Sequence, residues 1–259
     1  MATCNSHRLI AAVALLLAAT PAFADFKVVE RTAFDFSQMT LMGMPVTSDQ
    51  LDLIKQSPLL GGANGMDITI QESGDKMRCD APGGSTIVDF KAKKEILLLP
   101  KTRQYMESDI PTSKIGDLTA GAASTVTDGK QTKTVLGHTT HLYLFTVSNS
   151  MLTFNGSAWM ATDLPDLPPV ALDGTNPAMG FIKSKVSGFP LEMNARIDMP
   201  SVFGALGLNY TVTSVSTDAI PASVFAIPDG YVKTDAPAPG ALDPGLSTLP
   251  QTTPSSAKS

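Results

Sequence analysis

Apolar and polar residues alternate through most of this chain, with the period of strands rather than of helices. Leu191, Met193, Ala195, Ile197 and Met199 share one parity, while Glu192, Asn194, Arg196 and Asp198 share the other. Successive strand side chains point to opposite faces, so this run predicts a strand with one apolar and one wetted face. Residues 74–106 repeat the pattern in shorter units. In the unit 76–81, Met77, Cys79 and Ala81 face the apolar side, with Lys76, Arg78 and Asp80 opposite. Gly74-Asp75, Pro82-Gly83-Gly84 and the Lys-rich stretch 91–94 supply the turns. Further strands are expected at 25–36, 66–71, 85–90, 95–99, 103–106, 130–136, 140–147, 157–162 and 210–216. Residues 225–231 are expected to close the fold.

Helical signals are few. Thr47 or Ser48 is a candidate N-cap for a short amphipathic segment that Gly61-Gly62 ends, and 178–185 is a second short candidate. Residues 111–128, rich in Gly, Ala, Ser and Thr, read as a loop or short helix. Pro165, Pro168, Pro169 and Pro177 exclude a strand from 164–187, which is expected to act as a lid or plug. About ten strands with so few helices predict a mainly β fold built on one large antiparallel sheet. A sheet of that size must curl, split or close.

The two ends read differently. Residues 1–24 have the form of a signal peptide: His7-Arg8, the apolar run 9–19, then Ala22-Phe23-Ala24 before Asp25. The run is too short to span a bilayer, which takes about 20 residues. The expectation is an exported, periplasmic protein that is not integral to the membrane. From residue 234 the chain is rich in Pro, Ala, Ser and Thr and lacks aromatic residues, so 234–259 is expected to be a disordered tail. The body at 25–233 is expected to be one domain.

Composition narrows the chemistry. The chain has 19 Lys and Arg against 24 Asp and Glu, for a net charge of −5. That argues against nucleic acid and against an anionic membrane surface as partners. Loss of Cys4 with the signal leaves Cys79 alone, read as a buried thiol. No nucleophile elbow, zinc motif, phosphate loop or dinucleotide fingerprint occurs, so no catalytic residues and no cofactor are expected.

Three stretches in order resemble a known group: GDKMRCD followed by IVDFKAKKEILLLPKTRQYM; TVLGHTTHLYLF followed by AWMATDLP; and GFPLEMNARID followed by SVSTDAIPASVFAIPDGYVK. Together they resemble a family of exported bacterial domains of unknown function, similar to the LolA-type carriers of outer-membrane lipoproteins. The resemblance covers roughly residues 25–233. It implies a large curved sheet forming a half-open barrel around short helices, with an apolar cavity for acyl chains or lipidated proteins.

The residues agree with such a cavity. The chain carries 12 Met, a flexible and polarizable filler of variable apolar surfaces. Candidate lining residues are Met77, Val88, Phe90, Leu191, Met193, Ile197 and Met199, with Tyr105 and Trp159 as rim candidates. The same residue types also build an ordinary core. Two other readings stand beside the carrier. One is an envelope interaction module without a ligand. The other is copper binding by the thioethers of Met39, Met42 and Met44, with His138 and His141 joining only if a turn lies between them.

Overall fold

In the computed structural model the described residues are 25–41, 44–55, 65–110, 122–165, 185–199 and 204–235. They form fourteen strands: β1 (Phe26–Asp35), β2 (Thr40–Leu41), β3 (Met44–Pro45), β4 (Met66–Ser73), β5 (Lys76–Ala81), β6 (Gly84–Asp89), β7 (Lys94–Leu99), β8 (Gln104–Asp109), β9 (Ala123–Val135), β10 (His138–Ser148), β11 (Thr153–Ala161), β12 (Phe189–Met199), β13 (Gly204–Ser216) and β14 (Val232–Lys233). One α-helix, α1 (Ser48–Lys55), follows the small β2–β3 hairpin, and a 3-10 turn spans Ala222–Phe225. Thr47 and Gln50 bond each other's backbone N–H groups at the start of α1, a reciprocal cap of the kind expected there.

Twelve strands make one sheet in the order β14-β8-β7-β6-β5-β4-β1-β13-β12-β11-β10-β9. The sheet is not closed, since β14 and β9 lie at its two ends. All neighbours pair antiparallel except β14, which runs parallel to β8. The chain therefore builds a meander from β4 to β8, a second from β9 to β13, and uses β1 as the seam between them.

Register places one parity of each long strand on a common face, the inner face, which carries most of the buried apolar residues. Phe26 and Val28 lie opposite Glu72 and Ile70, which lie opposite Met77 and Cys79 in turn. On the other side Tyr210 lies opposite Met193, and Met193 opposite Ala158. These residues form one contiguous core with Phe145, Val147, Phe154, Phe189 and Leu191. Phe26 and Phe189 meet edge to face at 5.3 Å, and Phe145 stacks on Phe154 at 5.2 Å. Residues outside the strands cover part of this face: Leu164 is buried in the core, and Ile110, Ala122 and Val186 pack against it. Gly156 is a tight point of the sheet. A Cβ there would collide with the Asn194 carbonyl and crowd Ala195, so the β11–β12 approach requires glycine.

The outer face carries a second, smaller core. After β13 the chain crosses β5–β8, seating Phe225 against Ile87 and Leu98, with Ile96, Tyr105, Ile220, Ile227 and Tyr231 around them. Arg78 fastens this strap by donating to the Val224 carbonyl at 2.9 Å while pairing with Asp80 at 2.8 Å. Beyond it, β14 pairs with β8, and Lys233 pairs with Glu107 at 3.0 Å. Arg78 and Asp80 lie opposite the apolar parity as expected, but under a strap rather than in open water. Phe225→Ala is expected to remove about 3 kcal/mol, as core Phe truncations do. Urea unfolding followed by circular dichroism checks this, and an unchanged midpoint would mean that the strap is not part of the stable fold.

Several expectations are corrected. β9 begins at Ala123, so part of the segment read as loop or helix is strand, its ladder completed by β10. β13 begins at Gly204, earlier than expected, because pairing with β12 carries it through Gly204 and Gly207. Residues 225–231 are not a closing strand; they belong to the strap, and only Val232–Lys233 joins the sheet. The signal segment, most of 164–187, the helix expected at 178–185, the end of the helix expected from Thr47, and most of the C-terminal tail lie outside the described residues.

Candidate functional site

The inner face gathers most of the expected lining residues. Met77, Val88, Leu191 and Met193 are core members, all at most 4 % exposed, and Phe90 and Ile197 pack against them. Met199, at the far end of β12, is half-buried and sits outside this cluster. Tyr105 and Trp159 do not join them. Tyr105 lies opposite Leu98 in the outer core beneath the strap. Trp159 pairs across the ladder with Glu192, and the Lys133 ammonium sits 4.3 Å above its ring while also pairing with Glu192. The alternation of β11 puts Trp159 on the face opposite Ala158, and a cation–π clamp holds it there.

The inner face also holds polar groups that apolar patterning does not reveal. Glu30 is 4 % exposed, in the middle of β1, with Ile68 opposite on β4 and Val212 on β13. Burial pushes its carboxyl up to about 7, with the hydrogen bond from Tyr210 acting to hold it down. Tyr210 is itself raised well above the usual phenol range, first by burial and then by the Glu30 charge. Glu72 is also buried on this face, and Glu95, opposite Val88, is raised by burial. The signal for Glu30 was present in the sequence as a break in parity, a charge at an apolar position of β1. Alternation alone does not say whether such a residue is buried.

The ladder is irregular at this point. Val29 pairs with Ser214 but Glu30 pairs with Val212, so Thr213 is an extra residue in β13. Its hydroxyl donates to the Val29 carbonyl at 3.1 Å. The bulge brings Val212 and Val215 both to the inner face, since Val215 lies opposite Val28.

Other reactive side chains are dispersed. Cys79 retains partial exposure, yet burial pushes its thiol up to about 12, with Glu30 and Asp80 adding to the shift, so it is held protonated. His138 and His141 both lie within β10, with no turn between them, so they point to opposite faces. His138 bonds Asp163 at 2.9 Å and holds that carboxyl below its usual range. Met39 forms an isolated bridge with Gly204, Met44 is 66 % exposed on the β2–β3 hairpin, and Met42 lies outside the described residues. Among the described residues no three His, Cys, Asp or Glu side chains are grouped to hold a metal ion. A cleft of about 400 Å³ opens on the outer face, lined by Lys27, Val29, Gln71, Ser214 and Asp218 and bounded by the start of the strap.

No helix among the described residues is long and apolar enough to cross a membrane. Compared with known proteins, the sequence matches no protein-family model, and no curated protein matches it.

Proposed function

We propose that this chain is an exported, non-catalytic carrier that holds a lipid, an acyl chain or a lipidated protein against the inner face of its sheet. The observation that carries the reading is the make-up of that face. It is one contiguous apolar surface drawn from eight strands, with Met77 and Met193 in it, and it contains a buried carboxylate beside a buried tyrosine. A core selected only for stability gains nothing from Glu30, because a hydrocarbon side chain there would avoid the desolvation cost. A site for an amphiphile has this composition: mostly apolar walls with a few placed polar groups. The resemblance to LolA-type carriers points the same way, as does the signal-like segment 1–24, which favours the periplasm.

Catalysis fits poorly. The Cys79 thiol is held protonated, and His138 is engaged by Asp163 at the end of a hairpin. Met77, Leu191 and Met193 are buried, so loading requires residues packed over them to move aside.

The test is extraction. Protein purified without detergent from a periplasmic fraction is extracted with organic solvent and analysed by mass spectrometry. About one acyl-bearing molecule per chain is expected, absent from an exported control protein purified in parallel. A lipid-free protein that also fails to take up a fluorescent acyl probe would remove the carrier reading.

A further inference from the structure

We propose that Glu30, with Tyr210 beside it, is the headgroup subsite of the inner face and selects amphiphiles that carry a protonated amine. This rests on the carrier reading above and adds to it the chemical class of the ligand. The first support is position. Glu30 is enclosed by hydrocarbon from both neighbouring strands, with Ile68 and Val212 opposite it and Val28 two residues before it. The second is the bulge at Thr213, directly beside it. Bulges re-aim side chains and recur next to binding sites.

The third support is the sign of the surroundings. Groups that titrate on the inner face around Glu30 are Tyr210 on β13, Glu72 on β4 and Cys79 on β5, with Glu95 further off on β7. None is a base. By register, Lys27, Arg31, Lys76, Arg78 and Arg196 all fall on the opposite parity of their strands. Glu72 makes interactions of its own, so the subsite is assigned to Glu30 alone. An ionised carboxylate accepts about four hydrogen bonds, and Tyr210 donates one. An ammonium group brings three donors and the missing positive charge. Its alkyl chain is then directed into the apolar core of the inner face, whose members include Val28, Ile70, Met77 and Met193. A fatty acid would instead place a second anion beside Glu30, which a water-poor site disfavours.

The test is a competition assay on the full chain. Dodecylamine, dodecanol and dodecanoate are titrated against bound N-phenyl-1-naphthylamine at pH 8 and at pH 5.5. At pH 8 dodecylamine is expected to displace the probe at about a tenfold lower concentration than dodecanol, with dodecanoate weakest. The sign of the pH effect follows from the ionised form being the binding form. Amine preference rises as pH rises through about 7 and is lost at pH 5.5, where Glu30 is protonated. Glu30→Gln, which keeps the shape, is expected to lose the amine preference at pH 8, so that dodecylamine displaces the probe no more readily than dodecanol does. Equal displacement by all three compounds, or an amine preference that survives Glu30→Gln, would overturn the subsite and leave the carrier reading standing. Failure of the probe and of every alkyl compound to bind would overturn the carrier reading itself.

Discussion

Glu30→Gln is expected to stabilise the fold by about 3 kcal/mol at pH 8 and to leave it nearly unchanged at pH 4. The carboxyl stands at about 7 in the fold against an ordinary value of 4.5, raised mainly by burial. A group raised on folding favours the folded state fully below its unfolded value, and that contribution is lost as pH rises through its folded value. Wild type and variant should therefore coincide below about pH 4.5, diverge between 4.5 and 7, and differ by a constant amount above. The amide does not ionise, and its donor and acceptor remain able to meet Tyr210. Carboxylates held low by partners, such as Asp67 beside Arg31, have the opposite pH dependence but are common to both proteins and cancel in the difference. Chemical denaturation at four or five pH values measures the divergence. Parallel stability curves would mean that Glu30 is not buried as described. A variant more stable than the natural chain is also what a site retained for binding leads one to expect.

Phe189→Ala is expected to destabilise the protein by about 4 kcal/mol, within the range for truncating a buried Phe. Phe189 is fully buried and meets Phe26, also fully buried, edge to face. The two belong to strands separated by β13, so their contact ties the β1 seam to the second meander from above the sheet. Removing one ring leaves a void and removes an aromatic pairing at the same time. Phe189→Leu, which keeps most of the volume, should lose less than half as much. A loss below about 1 kcal/mol for the Ala variant, read from urea midpoints, would show that the inner face is not a tight core at this point.

Local order was legible where alternation was strong. Met77 and Cys79 on one side, with Arg78 and Asp80 on the other, follow from a period of two, and so does the Leu191–Met193–Ile197 face. Polar-rich or glycine-bearing strands were less legible, as at the start of β9 and of β13, because their stability comes from neighbours in the ladder rather than from their own pattern. The strap was misread for a related reason. Phe225, Ile227 and Tyr231 announce burial, but not that they cover the outer rather than the inner face. Aromatic residues show the same limit. Trp159 and Tyr105 have the amphipathic character of rim residues, yet parity within their own strands puts both on the outer face. Glu30 was the least legible, since a charge on an apolar parity also fits a strand end or a solvated edge. Only the register, with Ile68 and Val212 on either side, shows that it is enclosed.

The central claim is that ligand sits on the inner face, and photolabelling reads this most directly. A dodecylamine bearing a diazirine near the end of its chain is bound at pH 8, irradiated, and located by peptide mass spectrometry. The expected labels fall on β5, β6 and β12, in the peptides holding Met77, Val88, Leu191 and Met193, and excess dodecylamine suppresses them. Labels confined to the peptides of the outer core, around Ile87, Leu98 and Phe225 without Met77 or Met193, or labels that excess dodecylamine does not suppress, would contradict it.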